Sequence, residues 1–281
     1  MDLGITMFPT DYSIGPARLA AEVENRGFRS LWFPEHTHIP VGRKTPYPAG
    51  GELPQEYSHT LDPFVALGVA AAVTERLLLG TGVCLVAQHD PIVLAKEVAT
   101  LDLVSGGRFM FGIGVGWNED EMEDHGVDPA RRRAVVREKV LAMKALWTQD
   151  EASFDGEFVR FPPSWSWPKP VQQPHPPVLM GGAGGPVTFR HVIEYCDGWM
   201  PISGRADVAR RSAELREEAA AAGRDPASLR LHVFGGRPDA EVLDHYQEAG
   251  ADGVILWLPP ASEDKVLAML DRYDALVARY R

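Results

Sequence analysis

The feature that most constrains the fold is an alternation of short apolar runs with longer segments of helical period. Eight apolar runs bounded by turn residues lie at 3–8, 30–33, 77–83, 108–112, 177–180, 198–202, 229–234 and 253–258. Eight segments with the period of helices lie at 16–26, 63–74, 91–103, 130–148, 186–195, 205–222, 240–249 and 263–280. Such an alternation predicts βα units and a parallel sheet.

Eight βα units in 281 residues predict a single α/β domain over residues 1–281, a (β/α)₈ TIM barrel. A doubly wound open sheet is the alternative. Two insertions interrupt the alternation, residues 35–60 after the second strand and residues 150–176 before the fifth strand. Loops of this length are usually lids or walls of binding sites. The second insertion contains a hairpin-like segment at residues 153–158.

Charge and cysteine content narrow the class of partner. The formal net charge is -11, which disfavours binding to nucleic acid or to an anionic membrane surface. No apolar run approaches the roughly 20 residues of a membrane-spanning helix. Cys84 and Cys196 are too few for a disulfide framework, and the first residues lack the pattern of a signal peptide. We therefore expect a cytoplasmic protein that binds neither nucleic acid nor a membrane.

Several polar residues have positions typical of helix starts. Asp62 and Asp90 each precede a proline suited to the first helical turn, so we expect both carboxylates to cap helices. Asn118 followed by Glu121 has the spacing of a capping box, which predicts the same structural role for this pair.

The third and fourth predicted strands both end in glycine-containing turns. The third breaks at Gly80-Thr81-Gly82-Val83-Cys84, which indicates that something lies against that backbone. The fourth runs into three alternating glycines, whose backbone can approach a ring or a phosphate closely. Neighbouring strand ends are thus shaped for a flat, phosphate-bearing cofactor. The candidate contacts are Gly82, Val83, Cys84, Gly114, Val115, Gly116 and Trp117.

The fifth predicted strand is followed by a glycine-rich loop and then by a proline that opens a helix. The backbone N–H groups of such a loop can bind an anion with no side chain in the way. A tight turn would explain one or two glycines but not four. The candidate phosphate site therefore comprises Gly181, Gly182, Ala183, Gly184 and Gly185.

The second predicted strand runs into Glu35 and His36, which therefore lie at the end of a barrel strand where chemistry is expected. Imidazole titrates near neutrality and can move a proton in either direction, so His36 is the candidate catalytic acid or base. Glu35 is expected to orient it or to stabilise its charge. His36 and His38 also have a spacing found in zinc hydrolases, but further ligands at later strand ends are missing, so we predict no metal.

Together these motifs resemble the bacterial luciferase-like superfamily of flavin and deazaflavin oxidoreductases, and the resemblance covers nearly the whole chain. Within this superfamily the chain most resembles the branch that depends on coenzyme F420. The features that suggest this branch are its compact length, residues 32–36 and residues 61–67. The other shared motifs are Gly80-Thr81-Gly82-Val83, residues 90–102, Ser105-Gly106-Gly107-Arg108, residues 112–121, the loop at Gly181 and Asp197-Gly198-Trp199.

The resemblance implies a cofactor ring across the C-terminal mouth of the barrel, with a cis peptide between Gly82 and Val83 behind it. It implies that His36 lies beside the ring carbon that exchanges hydride, with Glu35 where relatives often have aspartate. The related sugar-phosphate dehydrogenases have glutamate where this chain has Trp117, so their substrate is not implied. The insertion aromatics Tyr47, Tyr57, Trp165 and Trp167 are candidates for an apolar substrate pocket.

The function implied is a coenzyme F420-dependent oxidoreductase that transfers a hydride between the deazaflavin and an organic substrate. The resemblance also implies a homodimer. An FMN-dependent monooxygenase that uses reduced flavin and oxygen is the alternative, and a non-catalytic flavin-binding barrel is a second alternative.

Overall fold

The structure is a computed structural model that describes residues 1–280. Its ten strands are β1 (Asp2–Thr6), β2 (Ser30–Phe33), β3 (Leu78–Thr81), β4 (Phe109–Ile113), β5 (Ala152–Asp155), β6 (Arg160–Ser164), β7 (Val178–Gly181), β8 (Gly198–Met200), β9 (Arg230–Gly236) and β10 (Gly253–Trp257). Eight of them close into a barrel in the order β1-β10-β9-β8-β7-β4-β3-β2.

The helices lie between these strands. They are α1 (Pro16–Asn25), α2 (Glu56–His59), α3 (Pro63–Ala72), α4 (Pro91–Val104), α5 (Glu119–Asp124), α6 (Arg132–Thr148), α7 (Pro186–Tyr195), α8 (Val208–Ala221), α9 (Ala240–Glu248), α10 (Glu263–Asp271) and α11 (Asp274–Tyr280). The predicted single helix over 263–280 is wrong, because α10 ends in a tight turn. In that turn Arg272 and Tyr273 donate their backbone N–H to carbonyls three residues back, and the Tyr273 side chain is buried.

The pairing of the first and last strands confirms the TIM barrel and excludes the open sheet. β1 runs parallel to β10 with Asp2 opposite Gly253, and it runs parallel to β2 on its other side. Both insertions lie where the sequence predicts them. The first carries α2, and the second carries the antiparallel hairpin of β5 and β6.

The interior of the barrel is filled by side chains. Trp32, Met110, Leu179, Met200 and Ile255 form a buried cluster separate from the larger core. A Cβ on Gly80 would lie only 2.2 Å from Cε3 of Trp32. Gly80 is therefore a glycine because the Trp32 indole occupies the space beside it.

The two predicted capping aspartates are confirmed. The Asp62 carboxylate accepts the backbone N–H of Val65 at the start of α3. The Asp90 carboxylate accepts those of Ile92 and Val93 at the start of α4. Each carboxylate satisfies helix N–H groups that have no partner within the helix.

No helix within residues 1–280 combines the length and the apolar character needed to cross a membrane.

Arg108 joins the start of β4 to the end of α3. Its guanidinium donates to the backbone carbonyls of Ala71, Thr74, Leu77 and Ser105, at 2.6 to 3.0 Å, and to the Thr74 hydroxyl at 2.9 Å. A planar group with five donors matches this set of acceptors in a way that an ammonium group does not. The segment Ser105-Gly106-Gly107-Arg108 therefore has a structural role.

We expect Arg108→Lys to lower the free energy of unfolding by about 2 kcal/mol, since lysine leaves several of these carbonyls without a donor. Chemical denaturation measures the change. Arg29→Lys is the matched control, because Arg29 is half exposed and its guanidinium lies 3.7 Å from Asp2. Equal stability of the two variants would contradict the assigned role of Arg108.

Candidate active site

A cavity of about 280 Å³ opens at the C-terminal ends of the barrel strands. Most of the predicted cofactor contacts line it, so the structure brings together three strand ends that are far apart in sequence. These lining residues are Gly82, Val83, Gly114, Val115, Gly116, Trp117, Gly181 and Gly182.

The remaining walls of the cavity come from the first insertion and from the later strand ends. They are largely apolar, and the guanidinium of Arg205 is the one cationic group among the described lining residues. The residues are Tyr47, Pro48, Tyr57, Leu85, Met200, Ile202, Arg205 and Phe234.

Val83 forms the wall of the cavity at the end of β3. The bond between Gly82 and Val83, for which the resemblance implies a cis peptide, is cis in the structure. A Cβ on Gly114 would lie 2.4 Å from Cγ2 of Val83, and one on Gly181 would lie 2.9 Å from Cγ1. These glycines allow β4 and β7 to close on the Val83 side chain.

Four of the predicted cofactor residues do not line the cavity. Cys84 is fully buried in the core, where burial and the nearby Glu35 carboxylate raise the pKa of its thiol. Its predicted contact with the cofactor is therefore wrong. Ala183, Gly184 and Gly185 lie beyond the cavity lining, and their role in binding phosphate stays a prediction.

Packing accounts for one glycine of that loop. Gly184 has a φ of +71°, and a Cβ there would lie 2.5 Å from Cζ2 of Trp199. Its carbonyl accepts a hydrogen bond from Arg211 at 2.8 Å. The glycine is required by its backbone conformation and by the indole, whether or not an anion binds nearby.

His36 is paired with a buried carboxylate from α5. Its Nδ1 lies 2.7 Å from Oε2 of Glu121, a residue with no exposed surface. The other oxygen of Glu121 accepts the backbone N–H of Thr37 at 3.1 Å. The carboxylate therefore fixes both the ring and the backbone that carries it, and it leaves Nε2 of His36 as the acceptor nitrogen of the ring.

The predicted capping box of Asn118 and Glu121 is wrong, because Glu121 pairs with His36. Asn118 precedes α5, but its side chain makes no cap hydrogen bond, and both its amide atoms lack a partner among the described residues. Glu121 turns to His36 instead. The sequence spacing fits both roles, and only the tertiary structure distinguishes them.

Two aromatic rings stand between His36 and the cavity. The indole Nε1–H of Trp117 donates to Nε2 of His36 at 3.3 Å, and the Tyr57 ring centroid lies 5.1 Å from that of His36. Tyr57 and Tyr47 share a hydroxyl–hydroxyl hydrogen bond of 3.3 Å, and burial raises the pKa of Tyr57 above its usual value. His36 thus lies one side chain behind the cavity wall.

The predicted pairing of Glu35 with His36 is wrong. The Glu35 carboxylate accepts the backbone N–H of Leu85 at 2.5 Å and lies 2.7 Å from Nε2 of His89. Successive side chains of an extended chain point to opposite sides, so these sequence neighbours face different partners.

The insertion aromatics divide into two pairs. Tyr47 and Tyr57 line the cavity, as predicted. Trp165 and Trp167 are 80% and 58% exposed and lie outside the lining, so their predicted place in the pocket is wrong. Arg205 was not predicted as a site residue, because the sequence places it at the start of the helical segment 205–222 and it belongs to no motif, whereas α8 begins only at Val208.

The chain belongs to the luciferase-like monooxygenase family, whose model matches residues 16–249. An uncharacterized protein of Mycobacterium tuberculosis is 47% identical over 283 residues, which span 99% of each chain. The F420-dependent hydroxymycolic acid dehydrogenase of the same organism is 27% identical over 253 residues, which span 89% of this chain and 64% of the dehydrogenase. The crystal structure of the monooxygenase RslO1 from Streptomyces bottropensis has the same fold, with a TM-score of 0.82, 23% identity and full coverage of both chains.

The hydrogen bonds around His36 predict a single tautomer. Nitrogen-15 NMR of histidine-labelled protein at neutral pH should show a protonated Nδ1 and an acceptor Nε2 for His36, because Glu121 takes the Nδ1–H. In Glu121→Gln we expect a mixture of tautomers, since an amide can either donate or accept. Glu119→Gln is the control, because its carboxylate contacts Arg132 and not His36. A protonated Nε2 in the unsubstituted protein would contradict the assigned pair.

Proposed function

We propose that the protein is a coenzyme F420-dependent oxidoreductase that transfers a hydride between the deazaflavin and an organic substrate. The observation that carries this proposal is the His36–Glu121 pair, which lies directly behind the Tyr57 and Trp117 side chains of a glycine-walled, apolar cavity. Membership of a family that includes an F420-dependent relative supports the choice of cofactor.

The residues of the cavity fit a flat ring with a phosphate-bearing tail. Apolar walls with a few placed polar groups are typical of cofactor sites. Val83 would lie behind the ring, where the glycines at 114 and 181 allow it to be held rigidly. Arg205 would offer the phosphate a positive charge, which an acidic protein must supply locally.

When bound, the deazaflavin would supply the hydride acceptor or donor carbon. The contribution of the chain is proton transfer and exclusion of water. Nε2 of His36 would accept a proton from a substrate hydroxyl during oxidation, or return it during reduction. Glu121 would hold the ring in place and stabilise the positive charge that His36 gains. Tyr57 and Trp117 would shield the reacting atoms from water.

An FMN-dependent monooxygenase is the second candidate. FMN also combines a flat ring with a phosphate, so the same apolar walls and Arg205 would accommodate it. Membership of the luciferase-like monooxygenase family supports this second candidate. The reactions differ because reduced FMN activates oxygen, whereas a deazaflavin lacks the nitrogen at the oxygen-reactive position.

Titration of the protein with F420 and with FMN, followed by absorbance and fluorescence, tests the proposed cofactor. We expect F420 to bind at micromolar concentrations and FMN to bind more weakly, with no oxygen uptake in the presence of reduced FMN. Tighter FMN binding with oxygen uptake would favour the monooxygenase. Binding of neither cofactor would reject both proposals.

Substitution of His36 tests catalysis separately from binding. With an alcohol or ketone substrate found by screening, we expect His36→Ala to lower turnover about 10²- to 10⁴-fold, the usual contribution of a positioned acid or base. The F420 dissociation constant should change little, because His36 lies behind the cavity wall. His38→Ala is the control, since His38 pairs with Asp124 away from the cavity. Unchanged turnover in His36→Ala would contradict the assigned role of His36 as the acid or base.

A further inference from the structure

Glu35 holds both ends of a short loop that follows the cavity wall. One carboxylate oxygen accepts the N–H of Leu85 at 2.5 Å, and the other lies 2.7 Å from Nε2 of His89. Glu35 is buried, and the His89 side chain is only 18% exposed. Residues 85–89 are thus closed by one carboxylate, which we call the Glu35 clamp.

Backbone hydrogen bonds hold the cavity wall at Gly82 and Cys84, whereas a side chain holds it at Leu85. Gly82 donates its N–H to the Phe33 carbonyl, and Cys84 exchanges backbone hydrogen bonds with Gly112 and Gly114 on β4. Leu85 has the Glu35 carboxylate in place of a backbone acceptor. Val83 and Leu85 both line the cavity, so Glu35 holds the end of this wall at Leu85.

The charge of the clamp is set by its surroundings. Burial opposes the charge on both groups, yet their mutual hydrogen bond and attraction lower the pKa of Glu35 and raise that of His89. Lys139 of α6 donates to the carbonyls of Ala87 and His89 at 2.7 and 2.6 Å. The other titratable groups that act on the pair are Cys84 from the wall, Asp62 before α3, Glu97 of α4 and His125 after α5.

The same atoms could suggest a metal site, because one ligand atom each from Glu35, Cys84 and His89 lie within 4.8 Å of one another. Each already has a partner, however. His89 and the Leu85 N–H occupy the two carboxylate oxygens, and the Cys84 thiol is hydrogen-bonded to Glu35. A carboxylate, an imidazolium and a thiol also balance in charge, so the cluster is complete as a hydrogen-bonded unit.

We propose that Glu35 and His89 are positioning residues whose ion pair holds the Val83–Leu85 wall against the cofactor, so that cofactor affinity falls when the pair loses its charge. The identity of the cofactor in this proposal rests on the proposed function. The Glu35 clamp does not, because its hydrogen bonds are present in the protein without a cofactor.

The direction of the pH dependence follows from the two pKa shifts. His89 has a pKa above its usual 6.5. Its contribution to the stability of the folded state is therefore complete below pH 6.5 and is lost as the pH rises through the folded-state pKa. Glu35 has a pKa below its usual 4.5, so its contribution is present above 4.5 and is lost as the pH falls through the folded-state value. Both groups are therefore charged throughout pH 4.5 to 6.5, and the ion pair is lost on the alkaline side, at a pH above 6.5, by deprotonation of His89.

The experiment measures the F420 dissociation constant across pH for the unsubstituted protein, His89→Gln and Glu35→Gln. In the unsubstituted protein we expect the constant to rise about tenfold as His89, followed by NMR, loses its proton. His89→Gln should bind about tenfold more weakly at pH 6.5 and should lack that alkaline step. His59→Gln is the matched control, because His59 pairs with Asp11 at 2.9 Å on an exposed surface.

Hydrogen exchange of the Leu85 amide in the protein without cofactor separates the clamp from the proposed function. Loss of protection in His89→Gln, with protection kept in His59→Gln, supports the clamp even if F420 does not bind. An equally protected Leu85 amide would overturn it, as would an F420 profile of His89→Gln that matches the unsubstituted protein. Should Glu35→Gln fail to fold, the His89→Gln comparison alone decides the matter.

Discussion

The structure depends on the close approach of β3, β4 and β7 around the side chain of Val83. That approach is possible only because Gly114 and Gly181 have no Cβ, and a methyl group at either position would collide with the valine. Protein interiors transmit such collisions because they are close-packed. The glycines at the strand ends therefore determine the shape of the cavity, in addition to leaving room for a ligand.

A second consequence is that the cavity is rigid on one side and more adaptable on the other. Residues 82–84 and 112–114 are joined by backbone hydrogen bonds between neighbouring strands. The opposite wall comes from the first insertion, where Tyr47 and Tyr57 contact each other through their hydroxyls and ring edges. Binding sites often combine a fixed scaffold with loops that determine which ligand fits. In this protein, variation in the insertion would change which ligand fits while leaving the wall at Val83 unchanged.

The sequence predicts the barrel well because its signals are local. All eight barrel strands and the caps at Asp62 and Asp90 follow from periodicity and from the chemistry of helix starts within a few residues. The cavity wall at Val83 was also predictable, since glycines that interrupt a buried strand have few explanations.

The pairing of site residues could not be predicted in the same way. Glu121 is 85 residues from His36, and its spacing from Asn118 is that of an ordinary capping box. Glu35 is adjacent to His36 in sequence, but the strand end directs the two side chains to opposite sides, and the partner of Glu35 is 54 residues away. The pairing of carboxylates with imidazoles depends on how the end of β2, α5 and the segment after β3 pack together. No local sequence pattern specifies that packing.

The hydrogen bond from the Trp117 indole to His36 has a consequence for recognition. The acceptor nitrogen is already satisfied in the protein alone, so a ligand that displaces the indole must offer its own hydrogen-bond donor in exchange. An alcohol can make that exchange, whereas an ether or a hydrocarbon of the same shape would leave a polar nitrogen without a partner. The indole therefore favours ligands that carry a hydrogen-bond donor where they meet Nε2 of His36.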